Sequence, residues 1–180
     1  MAAIPRAFRI HEAVALTGFS KYMLDYLARE KIFLPQDTRT GRGIARQYSF
    51  ADIVILRALR EVCRDRGRIR HLRQVLQIFR DEFGPIAVGQ KVRQHLFVQA
   101  GELTVRSAAE AGRELRTGQL TLAFVVDLER VVDEVSANLI VDSRTSVVRL
   151  HPKKAKEAEE VRQQIWGAIR DKREHRMKIA

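Results

Sequence analysis

Apolar residues near the start of the chain recur at three- and four-residue spacing, a pattern typical of helices with one buried face. The pattern predicts a short helix that begins at Ile10 and ends at Gly18, because glycine often closes a helix. Ser20 is suited to cap a second helix that continues to about Lys31. The predicted inward positions are Ile10, Val14 and Leu16 in the first helix and Met23, Leu24 and Leu27 in the second. Two short helices joined by a tight turn that contains glycine form a helix-turn-helix.

A polar segment follows, from about 36 to 47, and it is rich in Thr, Gly and Arg. It is too polar to bury a core, and it predicts a hairpin, or wing, with a positively charged tip. Ser49, followed three residues later by Asp52, predicts the capped start of a third helix. The apolar positions of that helix are Ile53, Val54, Leu56, Leu59 and Val62. A fourth helix is predicted from about Ile69 to Phe83.

The pattern changes after Gly84-Pro85, which marks a predicted domain boundary. Alternating apolar runs predict strands at 95–99, 103–106 and 120–126, with a turn at Gly101-Glu102 between the first two. Asp127 is suited to cap a helix. The apolar positions of this helix are Leu128, Val131, Val132, Val135 and Leu139, and those of a last helix over 153–177 are Ala158, Val161, Ile165, Ala168 and Ile169.

These elements predict a mainly α fold with small β content. Residues 1–83 form a winged helix-turn-helix domain, and residues 84–150 form a small α+β domain for dimerisation, a partner or an effector. Residues 151–180 form a basic C-terminal helix.

The net charge of the chain is +11 at pH 7, and it is unevenly distributed. Residues 1–83 hold 16 Lys and Arg against 9 Asp and Glu, a net charge of +7. Residues 84–150 hold 8 of each, and residues 151–180 hold 9 against 5, a net charge of +4. A basic excess concentrated in one segment indicates a polyanionic partner such as nucleic acid.

Other features of the composition indicate the cellular compartment of the protein. No apolar run approaches the roughly 18 residues of a membrane span, and the first residues do not resemble a secretory leader. Cys63 is the only cysteine, which excludes an internal disulfide and fits a reducing environment. We therefore expect a cytoplasmic, nucleoid-associated protein without membrane contact.

Residues that commonly carry catalysis or bind metal ions are sparse. The five histidines are scattered, and none pairs with another at the spacing of helical metal ligands. No glycine-rich loop precedes a Lys-Ser or Lys-Thr pair that would bind phosphate. We therefore expect no enzymatic activity, no bound metal and no cofactor.

A helix-turn-helix with a basic wing has a direct use on DNA. Its second helix fits the major groove, and the wing reaches the backbone or the minor groove. The candidate DNA-binding residues are Ser20, Lys21, Tyr22, Asp25, Tyr26 and Arg29 in the helix and its cap, and Arg39, Arg42, Arg46 and Tyr48 in the wing. The alternative interpretation is that Lys21 and Arg29 are solvated helix charges and that the Arg- and Gly-rich loop is only flexible.

Three stretches, Phe8–Ser20, Met23–Ile32 and Arg46–Ile53, resemble the winged-helix domain of MerR-type transcriptional regulators. They share a short entry helix, a Thr-Gly-x-Ser turn, a recognition helix with a central aromatic residue and a wing closing on Arg-x-Tyr-Ser. The resemblance covers about residues 8–80. It implies a sequence-specific regulator that binds double-stranded DNA as a homodimer on paired half-sites. The recognition helix would be about 20–31 and the wing about 36–47.

The chain departs from the family pattern at Asp25, where the family usually carries Arg, and at Leu27, where it carries a second aromatic residue. Asp25 is interpreted either as reading a cytosine amino group or as pairing with Arg29. The family's dimerisation helix is interrupted by Gly84-Pro85, so the dimer contact must lie elsewhere. The stripe of the last helix either associates with a second copy or packs on the middle domain of its own chain.

A second resemblance covers Gly118–Val135, which is similar to the region after the MerR-like domain in a group of bacterial regulators and VapB-type antitoxins. Two alternatives to the regulator stay open, the second of them because phage excisionases share a MerR-like winged helix. One is an antitoxin that represses its own operon and contacts a toxin through residues 84–180, a region that could equally contact the transcription machinery. The other is an architectural DNA binder of the phage excisionase type.

Overall fold

The structure is a computed structural model that describes residues 7–35, 46–62, 94–99, 102–107, 109, 124–141 and 148–179. Within these ranges the chain forms five helices and seven short strands. The helices are α1 Ile10–Thr17, α2 Lys21–Arg29, α3 Phe50–Val62, α4 Leu128–Ala137 and α5 Pro152–Ile179. The strands are β1 Phe8–Arg9, β2 Gln47–Tyr48, β3 Gln94–Gln99, β4 Glu102–Ser107, β5 Phe124–Asp127, β6 Leu139–Val141 and β7 Val148–Leu150. The predicted mainly α fold with small β content is confirmed.

The helix-turn-helix forms as its local residues predict. Gly18 ends α1 in the left-handed conformation, with φ of 75°, and its N–H donates to the Val14 carbonyl at 3.0 Å. The Ser20 hydroxyl caps α2 by accepting from the Met23 N–H at 3.2 Å. Helix α2 ends at Arg29, two residues before the predicted end, because Lys31 has a φ of 53° that a right-handed helix cannot contain.

The base of the wing is a two-stranded antiparallel pair, in which Phe8 lies opposite Tyr48. Helix α3 begins directly after it with the predicted capping box. The Ser49 N–H donates to Asp52 Oδ2 at 2.9 Å, and the Asp52 N–H donates to Ser49 Oγ at 3.0 Å. The tip of the wing, the predicted fourth helix and the boundary at Gly84-Pro85 lie outside the described residues.

The middle of the chain contains an antiparallel sheet in the order β4-β3-β5, which confirms the first two predicted strands and the end of the third. Asp127 caps α4, as predicted, by accepting from the N–H groups of Glu129 and Arg130. The prediction that α4 extends to Leu139 is wrong. The helix ends because the Asn138 side chain donates to the Glu134 carbonyl at 2.6 Å, and Leu139 then pairs with Leu150 in the unpredicted β6–β7 hairpin.

One buried cluster connects the helix-turn-helix with the middle of the chain. Helix α3 packs on α1 and also on α4. Ion pairs cross the α3–α4 contact between Arg57 and Glu134, at 3.2 Å, and between Arg130 and Glu61. The largest fully buried side chains are Tyr48, Phe8, Leu24, Leu27, Ile53, Leu56, Leu59 and Leu128. The position of α2 is therefore set by a core that extends beyond the helix-turn-helix.

Helix α5 packs on α1 and on β7. Ala158, in the first half of α5, is buried, whereas Trp166 and Ile169 in the second half are exposed. The contact with β7 agrees with the interpretation that the last helix packs on the middle domain of its own chain, whereas neither interpretation named the contact with α1. Of the helices that the structure describes, none is long and apolar enough to cross a membrane.

Candidate nucleic-acid interface

Helix α2 has one buried and one exposed face. Leu24 and Leu27 are buried in the core, which fixes the rotation of the helix about its axis. On the other side Tyr22 is 57% exposed and the Arg29 side chain lies mostly in solvent. A short helix held by leucines, with polar and aromatic groups facing outward, has the form of a recognition helix.

Two predicted contact residues at the end of α2 interact with each other. The Arg29 guanidinium lies over the Tyr26 ring, 5.7 Å from its centre, and Arg29 Nε is 3.4 Å from Glu30 Oε1. The Tyr26 side chain is half-buried against the core. Tyr26 therefore packs between Arg29 and the core, and Arg29 is the residue of this pair that is exposed to solvent.

Asp25 joins α2 to the end of the wing. Its Oδ2 accepts from Lys21 Nζ at 2.6 Å, and its Oδ1 accepts from Arg46 Nη2. Arg46 also donates through Nη1 to the Leu24 carbonyl at 3.4 Å. The structure thus pairs Asp25 with Lys21 and Arg46 and not with Arg29, contrary to one of the two interpretations made from the sequence.

Sequence reasoning could have found only half of this cluster. Lys21 and Asp25 are four residues apart on one helix, a spacing that brings opposite charges together. Arg46 lies 21 residues from Asp25, and its contact depends on the pairing of β1 with β2.

Tyr48, which the sequence predicts to bind DNA, ends strand β2 and is buried. Its side chain is 2% exposed and packs in the core. Burial raises the pKa of Tyr48 to about 12. The residue anchors the wing base to the core and offers almost no surface to a ligand. Of the other wing residues, Arg39 and Arg42 lie outside the described residues.

The turn between α1 and α2 is covered by an arginine that sequence reasoning did not single out. The Arg60 guanidinium from α3 lies over the Phe19 ring, 5.6 Å from its centre. A Cβ added at Gly18 would lie 3.2 Å from Arg60 Nε. Arg60 therefore adds an exposed positive charge beside the turn and leaves no free space above Gly18.

A concave site, separate from the exposed face of α2, lies between α1, β7 and the start of α5. It is a cavity of about 330 Å³, with His11 and Glu12 on one side and Ala158 and Glu159 on the other. Burial lowers the pKa of His11 from its usual value. Among the described residues, no group of three or more His, Cys, Asp or Glu side chains could hold a metal ion.

Comparison with known proteins identifies the family of the N-terminal part of the chain. Residues 8–78 match the model of the family described as MerR HTH family regulatory protein, a range that includes α1, α2, the wing and α3. No curated protein matches the chain. The N-terminal part of the chain is a MerR-type helix-turn-helix domain, and this domain supports a role in DNA binding and transcription regulation.

Proposed function

We propose that the protein recognises a specific double-stranded DNA sequence by placing α2 in the major groove. The exposed face of α2 carries this proposal. Tyr22 and Arg29 point away from the core, and buried leucines hold the opposite face. Arg is the residue that most commonly reads guanine, through two hydrogen bonds to its major-groove edge.

The wing supports the same proposal through charge. The net charge of +7 in residues 1–83 is suited to the phosphate backbone, where each neutralised phosphate releases counterions and adds affinity. We propose that Arg39 and Arg42 contact the backbone from the wing. Because β1 and β2 fix the base of the wing beside α1, this base would approach the duplex together with α2.

The test is selection of bound fragments from a genomic DNA library with the full chain. We expect one enriched consensus sequence, and no enrichment would overturn the proposal. Arg29→Ala and Tyr22→Ala should change the preferred sequence, since base contacts carry specificity. Arg170→Ala, which also removes an exposed arginine but from α5, should leave the preferred sequence unchanged.

We further propose that the protein acts as a homodimer and that the second half of α5 contacts a second copy. Trp166 and Ile169 are exposed on this half, and a Cβ at Gly167 would meet no atom within 4 Å. Two such helices in antiparallel orientation can cross near Gly167, where no side chain separates their axes. A palindromic consensus in the selection would support paired copies.

A further inference from the structure

The carboxylate of Asp25 lies between two cations on the proposed DNA-binding surface. One oxygen accepts from Lys21 Nζ at 2.6 Å and the other accepts from Arg46 Nη2. Both cations would otherwise be available to phosphate groups, because they lie beside the exposed face of α2 and at the end of the wing. Both oxygens of Asp25 are engaged within the protein.

We propose that Asp25 competes with DNA phosphates for Lys21 and Arg46 and so lowers the affinity of the protein for the DNA backbone. This inference rests on the proposed function. It assigns Asp25 a role opposite to that of a DNA-contacting residue, although the residue lies on the recognition helix.

The geometry makes this competition effective. The side chains of Lys21, Asp25 and Arg46 are 42%, 32% and 29% exposed, so solvent screens the pairs less than it screens ion pairs at a fully exposed surface. A phosphate that binds Arg46 must displace a carboxylate already in place, while the Leu24 carbonyl holds the same guanidinium at 3.4 Å.

The charge of the surface points in the same direction. The carboxylate of Asp25 lowers the net charge of the cluster that it forms with Lys21 and Arg46 from +2 to +1. Binding that depends on phosphate contacts alone is the main component of non-specific binding. Asp25 therefore weakens the attachment of the protein to DNA that lacks its target sequence, and base contacts such as those of Arg29 gain relative weight in total affinity.

The experiment measures duplex binding of the full chain by fluorescence anisotropy between ~50 and ~200 mM KCl, on the selected sequence and on a scrambled duplex. We expect Asp25→Asn to bind both duplexes severalfold more tightly at low salt. Because two cations are released, the slope of log K against log salt should steepen by about 1 to 2.

Two controls separate this effect from others. Asp133→Asn removes an equal charge from the exposed surface of α4 and should leave the slope nearly unchanged. Asp25→Asn introduced into the Lys21→Met, Arg46→Met variant should not steepen the slope, because no cation remains to be released. Thermal unfolding checks that each variant folds, and Asp25→Ser replaces Asp25→Asn should the latter unfold early.

The outcomes distinguish this inference from the proposed function. Failure of the wild-type chain to bind any duplex would overturn the proposed function. Wild-type binding with an unchanged slope in Asp25→Asn would overturn the inference alone. Weaker binding of Asp25→Asn to the selected sequence, with a changed base preference, would also overturn it and would identify Asp25 as a base-reading residue.

Discussion

Helices α2 and α5 each bury part of their surface, and they differ in how much apolar surface they leave to solvent. Helix α2 buries Leu24 and Leu27 and exposes polar groups together with Tyr22. Helix α5 buries Ala158 and leaves Trp166 and Ile169 exposed. A polar helix surface gains from hydrogen bonds and ionic contacts with DNA, whereas an exposed apolar surface gains only when another apolar surface covers it.

The lengths of the helices explain this difference. Helix α2 has 9 residues and lies within a core whose parts cover its apolar positions. Helix α5 has 28 residues, or about 42 Å at 1.5 Å per residue, and packs on α1, which has 8 residues and is about 12 Å long. The apolar stripe of α5 therefore extends beyond the surface that it covers.

The largest expected effect tests the buried side of this comparison. Leu27→Ala should lower the free energy of unfolding by about 2–5 kcal/mol, because it leaves a cavity beneath α2. Ile169→Ala, at a side chain that is 39% exposed, should change it by about 0.5 kcal/mol or less. Urea unfolding at low protein concentration measures both. Equal losses of stability would show that the apolar side chains of the two helices are buried to the same extent.

The next effect tests the exposed side. Trp166→Ala should weaken self-association by about 2 kcal/mol or more, roughly 30-fold, because buried tryptophans often dominate interfaces. Sedimentation equilibrium measures the dissociation constant, with Gln164→Ala, at an exposed polar position on the other side of α5 from Trp166, as the control. A wild-type chain that stays monomeric at all accessible concentrations would contradict the dimer, and equal weakening by both variants would contradict the assignment of Trp166.

The sequence predicted those parts of the fold that depend on neighbouring residues. The capping box of Ser49 and Asp52, the cap at Ser20 and the stop at Gly18 each involve residues no more than four positions apart. The same local periodicity led to the wrong end of α4, since Leu139 follows Val135 by four residues and continues the helical pattern. The packing of α5 on α1 joins distant parts of the chain and has no local signal.

The candidate site divides in the same way. The exposed face of α2 follows from the spacing of its leucines, so sequence reasoning identified Tyr22 and Arg29 as outward-facing residues. The burial of Tyr48 and the contact of Arg46 with Asp25 depend on how the wing base closes on the core. No residue within one helical turn of either position reveals these contacts.

The two glycines at α1 and α5 offer a third test. Gly18→Ala should destabilise the protein by about 1–2 kcal/mol, because its φ of 75° disfavours a side chain and the new Cβ meets Arg60 at 3.2 Å. Gly167→Ala adds a Cβ in open space within a helix, so it should stabilise α5 by about 0.5–1 kcal/mol. Thermal unfolding of the two variants, at a protein concentration low enough to keep the chain monomeric, should shift in opposite directions, and shifts of the same sign would contradict the comparison.

The smallest effect concerns the half of α5 that packs on α1. His11 of α1 lines the cavity between the two helices. Burial lowers the pKa of His11, an effect that Arg162 and Arg9 reinforce and that Glu12 and Glu159 oppose. The unfolded chain therefore takes up the proton first, so the stability that His11 contributes is present above pH ~6.5 and is lost as the pH falls from there through the lowered pKa of the folded state.

We expect the wild-type Tm to fall further between pH 7.5 and 5.5 than the Tm of His11→Gln, by a small margin because partial exposure to solvent weakens the effect. Glu129→Gln, a change on α4 away from the cavity, should retain the wild-type pH dependence. Parallel pH profiles for the wild type and His11→Gln would show that protonation of His11 does not oppose the packing of α5 on α1. A steeper profile in His11→Gln would contradict the direction of the pKa shift, because the variant has lost the group whose protonation the folded state disfavours.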